Sequence, residues 1–113
     1  YSDGTNTALG MLQKSYVTQT AAYTAVAGDQ IFCDTLTTNA FTVTLPAGAV
    51  GSEVTLIDSK NYFASNNLTI DSDGSEKINS SASNLVLSTN GQAITLVYAN
   101  ATVGWIYKTN SAS

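Results

Sequence analysis

Residues 40–45 read A-F-T-V-T-L, and no other stretch narrows the possible folds as far. Phe41, Val43 and Leu45 fall on one side of an extended chain, and Thr42 and Thr44 fall on the other. That is the period of two expected of a half-buried strand. Pro46 stops the segment, and Gly48 and Gly51 open a turn after it. The alternation returns in residues 53–58 (E-V-T-L-I-D), 67–71 (N-L-T-I-D), 84–88 (N-L-V-L-S) and 93–98 (A-I-T-L-V-Y). A short strand is expected through Lys77 and Ile78, and a last one over residues 102–108 (T-V-G-W-I-Y-K). Upstream, residues 16–20 and 30–35 (Q-I-F-C-D-T) also read as strands. Ala27-Gly28-Asp29 and Asp73-Gly74 mark turns, and Asn90-Gly91 is the strongest hairpin signal.

Short strands at intervals of about 8 to 12 residues, with turn chemistry between them, predict an all-β fold. The expected form is a small antiparallel β-sandwich or a jelly-roll-like barrel with an N-terminal extended arm. Val43, Leu56, Ile70, Leu87, Leu96 and Trp105 are the expected core. The expected division is a turn and arm over residues 1–26, the β-sandwich module over 27–108 and a polar tail over 109–113. Within the arm, residues 1–7 (Y-S-D-G-T-N-T) read as a turn-rich hairpin, and residues 8–14 (A-L-G-M-L-Q-K) as a short helical turn or an extended arm. The opening Tyr1, without an initiator Met, reads as the start of a fragment or a cleaved product.

Charge is scarce: 4 Lys+Arg, 8 Asp+Glu and no His, with charged residues at 11% against about 25% in an average soluble domain. Without His there is no Ser-His-Asp triad and no imidazole metal site. No Arg and a net charge of -4 leave no footprint for nucleic acid. No apolar run approaches the roughly 20 residues of a membrane-spanning helix, so no membrane insertion is expected. Hydrophobic residues at 43% exclude the low-hydrophobicity composition of disordered chains. Ser, Thr and Asn supply the polarity, and few charges remain to guard exposed strand edges. Those edges are therefore expected to be covered by another chain.

Several segments in order resemble a module of bacteriophage tail-fibre and related virion proteins. They are A-G-D-Q-I-F-C-D-T (residues 27–35), F-T-V-T-L-P (41–46), G-S-E-V-T-L-I-D (51–58), N-N-L-T-I (66–70), N-L-V-L-S-T-N-G (84–91) and I-T-L-V-Y-A-N-A-T-V-G-W (94–105). The opening Y-S-D-G-T-N-T looks like the end of a fibre repeat. The resemblance spans roughly two-thirds of the chain. It implies a homotrimeric, β-rich module at the virion surface that acts in structure and host attachment, partnered by itself and other virion proteins, without enzymatic activity. It carries over no ligand-binding residue.

Candidate chemistry is sparse. Asn61, Tyr62 and Asn66 share a loop whose aromatic ring and amides suit a host-surface glycan, and Trp105 is a second ring for it, although packing is the commoner role of such rings. Asp71 and Asp73, at alternate positions before Gly74, match part of a calcium loop, but no distal bidentate Glu follows, so the expected reading is a plain Asp-Gly turn with no metal. No cofactor motif is present. Asp29, Asp34, Glu53 and Asp58 are too scattered for a paired-carboxylate hydrolase. Cys33, between apolar neighbours, reads as a small buried hydrophobe. The expected function is thus a structural, non-enzymatic module of a phage tail fibre or related appendage. The alternatives are a carbohydrate-binding module on the same fold and a secreted non-viral adhesin.

Overall fold

A computed structural model describes residues 15–111. The hairpin and the helical turn or arm expected within residues 1–14 lie outside them. Among the described residues there are nine strands: β1 (Val17–Gln19), β2 (Tyr23–Thr24), β3 (Gln30–Cys33), β4 (Phe41–Thr44), β5 (Glu53–Asp58), β6 (Leu68–Asp71), β7 (Leu85–Leu87), β8 (Ala93–Asn100) and β9 (Gly104–Ser111). They form a five-stranded sheet in the order β1-β3-β5-β8-β9 and a four-stranded sheet in the order β2-β4-β6-β7.

The chain alternates between the two sheets from β1 to β6, so its first part winds as three stacked coils. Within those coils every pairing is parallel: β1 with β3, β3 with β5, β2 with β4 and β4 with β6. The pairings made by β7, β8 and β9 are antiparallel: β7 runs against β6, β8 against β5 and β9 against β8. The fold is all-β, as expected, but its sheets are mixed rather than antiparallel. One-sided alternation misleads here for a physical reason. Parallel strands ordinarily need a long crossover, usually a helix, which buries both faces of the sheet. Here each crossover is a strand of the opposite sheet, so every strand keeps one face turned outward.

Asn90-Gly91 is likewise no hairpin, because β7 and β8 belong to different sheets. Gly91 takes a φ of 77°, and the Gln92 amide donates to the Thr89 carbonyl (3.2 Å), which turns the chain from one sheet to the other. The expected strand at Lys77 and Ile78 is reduced to isolated bridges from Ile78 to Ser81 and to Trp105. The sandwich is also wider than residues 27–108. β1 and β2 extend the two sheets on one side, and β9 runs to Ser111. The last residues of β9 are polar because they sit on an exposed edge strand, not because they lie outside the fold.

The inward positions of both sheets form one core. Ile31, Val54, Leu56, Ile94 and Leu96 face Val43, Leu68, Ile70 and Leu87, with Phe63 and Trp105 added from outside these rows. All six expected core residues are buried. Each such side chain contributes on the order of 1.5–3 kcal/mol by leaving water. Trp105 meets Tyr98 edge-on, with ring centroids 5.6 Å apart at 71°. Its backbone locks the 72–84 connection onto β9: the Trp105 amide donates to the Lys77 carbonyl (2.9 Å) and the Asn79 amide to the Trp105 carbonyl (2.7 Å).

Cys33 is fully buried and opposite Asp58 in the register. Burial pushes its thiol up to about 12, with a hydrogen bond from the Ile57 backbone pulling the other way. The thiolate is the reactive form, so an aromatic disulfide reagent at pH 8 should modify Cys33 only as fast as the protein unfolds. Complete modification of native protein within seconds would contradict this placement.

Candidate functional site

Two places gather polar side chains, at opposite ends of β5. The first is the loop of residues 59–67, which follows β5 and carries three of the four expected glycan contacts. Asp58 builds it. Its Oδ2 accepts from the amides of Tyr62 (2.8 Å), Phe63 (2.9 Å) and Gly91 (3.0 Å), which ties the loop to the β7–β8 crossover. Phe63 is buried beneath the loop. Asn61 is exposed in a left-handed conformation (φ 57°), which Asn tolerates better than most residues. Tyr62 is half-buried. Asn66 is also half-buried and uses its Nδ2 to hold the Thr35 carbonyl (2.9 Å). Asp58 Oδ1 and Thr35 Oγ1 are buried and find no partner among the described residues. Next to Thr35, Asp34 accepts from the Thr37 hydroxyl (2.6 Å) and from the amides of Thr37 and Leu36. The Thr37 hydroxyl first, and these amides after it, hold the Asp34 carboxyl below the usual carboxylate range.

Trp105 does not join this loop. It is the second residue of β9, beside Tyr98 at the Glu53 end of β5, and its side chain is wholly buried. The ring packs the core and offers no face to a sugar. Its indole N–H has no acceptor among the described residues. Asp71 stands on the outer side of β6 opposite Thr44, and Asp73 opens the turn that Glu76 closes. The Glu76 carboxylate turns away to accept from the Gly48 amide at 3.0 Å through both oxygens. Among the described residues no three acidic or thiol side chains come together as metal ligands.

The second place is a cleft of about 330 Å3 on the outer face of the five-stranded sheet. Its floor is the row Gln30, Thr55, Thr95 and Thr109, which the register sets side by side across β3, β5, β8 and β9. The hydroxyls of Thr55 and Thr95 share a hydrogen bond of 2.9 Å. One wall is the turn at Gly28 and Asp29, the other Lys108. The register of β8 and β9 slips between Thr95 and Leu96, making Lys108 the extra residue of a bulge. The bulge swings Lys108 over Glu53, where Nζ lies 3.1 Å from Oε2. Asp29 Oδ2 already accepts from the Tyr23 hydroxyl (2.7 Å) and the Val26 amide (2.9 Å). That hydrogen bond, with burial and the nearby negative charge, raises the Tyr23 hydroxyl above its ordinary value.

Sequence reasoning set Asp29 and Glu53 aside as scattered; the parallel pairing of β3 and β5 brings them to one cleft. The signal was present as outward positions on successive strands, but it becomes a site only with the register and the bulge. No protein-family model matches the chain, and no curated protein matches it.

Proposed function

We propose that the chain is a non-enzymatic structural module of a phage tail fibre or related virion appendage. It assembles as a homotrimer at the particle surface, beside other virion proteins, and touches the host receptor. The observation that carries this reading is an unguarded edge. Among the described residues, β1 and β2 are the outermost strands of their sheets on the same side of the sandwich. Residues 15–28 contain neither a charge nor a proline, the two commonest guards against edge pairing. Val17 is in register with the buried Ile31, yet it is 38% exposed, and Tyr16 is exposed to the same degree. Copies related by rotation would cover such an edge with the same surface on each subunit. The ordered resemblance of residues 27–105 to tail-fibre modules supports the same reading.

The reading predicts a species of three times the 11.8 kDa chain mass in native mass spectrometry at micromolar concentration. Val17→Lys, which places a charge on the edge strand, should shift that species to monomer while the fold persists. A wild-type monomer at every concentration would remove the trimer. The polar cleft favours a second reading, a carbohydrate-binding module on this fold; the two are compatible if the appendage binds its receptor through sugars.

A further inference from the structure

We propose that the cleft between the Gly28 turn and the β9 bulge is a saccharide site, taking one or two sugar units. The inference rests on the receptor-contact part of the function above and moves that contact away from the 59–67 loop. The cleft volume of about 330 Å3 is at the lower end of the roughly 300–1,000 Å3 of small-molecule sites. Its polar groups are spaced for hydroxyls. In the Thr55–Thr95 pair one hydroxyl donates to the other, so the accepting hydroxyl keeps its own proton to offer a ligand. Gln30 spends its Nε2 on the Ser15 carbonyl (3.2 Å), which leaves its Oε1 as an acceptor beside that pair. Lys108 supplies a donor and Glu53 an acceptor at the rim.

The surroundings are apolar in stripes. Val97 and Ile106 pair on one side of the floor row, and Phe32 and Ile57 pair on the other, all of them half-buried. Tyr16 stacks on Phe32 with centroids 4.7 Å apart and an interplanar angle of 11°. A sugar ring has the matching character, hydroxyls at its edge and C–H groups on its faces. Competing ligands fit worse. Among the described residues Lys108 is the only cation of the cleft, and it already faces Glu53, so a phosphate-bearing ligand finds little field there. A peptide strand needs a sheet edge, and the middle of the cleft floor, Thr55 and Thr95, lies on the inner strands β5 and β8, which are paired on both sides.

The test uses the whole chain, 15N-labelled, titrated with glucose, galactose, rhamnose, N-acetylglucosamine, N-acetylgalactosamine and lactose up to about 20 mM, where millimolar sites fill. At least one sugar should move the amide signals of Gln30, Thr55, Thr95 and Thr109 while leaving those of residues 61–66 in place. Thr55→Val and Gln30→Ala, both at half-exposed outward positions, should each weaken that binding about tenfold with unchanged thermal unfolding. Shifts confined to residues 61–66, or no shift in the floor row for any of the six sugars, would overturn the site. The outcome is separable from the trimer: a trimer whose floor row never responds sinks the cleft alone, and a monomer whose floor row responds keeps it.

Discussion

Replacing Gly104 by alanine should cost the fold about 3 kcal/mol, from roughly 1–2 for a left-handed non-glycine residue and 1–3 for overpacking. Gly104 opens β9 with a φ of 75°, and a Cβ built there would overlap the carbonyl of Lys77. That carbonyl cannot move aside cheaply, because it already accepts from the Trp105 amide at 2.9 Å. Shifting it would loosen the bridge that fixes the 72–84 connection. At roughly 4 °C per kcal/mol for a domain of this size, the midpoint of thermal unfolding should fall by about 12 °C. Gly51→Ala is the control. Its φ is 90°, but nothing lies within 4 Å of the added Cβ. It should incur only the conformational cost, about 1–2 kcal/mol. Equal losses for the two variants would mean that the contact with Lys77 is not what holds Gly104 in place.

The second large effect belongs to Asp58. Asp58→Ala strands three amide donors, of which Phe63 is buried and Tyr62 and Gly91 partly so. An unsatisfied buried donor costs about 1–3 kcal/mol, so the loss should reach about 3 kcal/mol in urea unfolding. Amide exchange should quicken at Tyr62, Phe63 and Gly91 together, because one oxygen serves all three. Asp58→Asn should recover about half of the stability, since its amide oxygen can replace the carboxylate oxygen as acceptor without the charge that strengthens it. An Asp58→Ala protein as stable as wild type, with those amides still protected, would show that the loop stands without this anchor.

The strands and the core were legible because burial on one face writes itself as alternation. Val43, Leu56, Ile70, Leu87 and Leu96 could be chosen from period two alone. β5 appears over residues 53–58, where E-V-T-L-I-D predicted it. The pairing was not legible. Parallel and antiparallel strands with one polar face show the same pattern, and only the return of the chain to the opposite sheet after each strand separates them. β2, two residues long, lies below what periodicity can register. The site divided along the same line. A single loop could be read directly, so Asn61, Tyr62 and Asn66 were found as neighbours. The cleft draws one or two residues from each of four strands and needs the Lys108 bulge, and no local pattern announces either. Trp105 failed as a sugar platform because packing is the commoner role of a large ring, and here the core claimed it.

The three coils bear on how the molecule is made. A ribosome releases β1 to β6 first, and these lay down the inward faces of both sheets with nothing yet against the far side of β5. Ile94, Leu96 and Trp105, which complete the enclosure, emerge only with β8 and β9. The core of this module is therefore complete only once β8 and β9, last in chain order, have joined the first six strands.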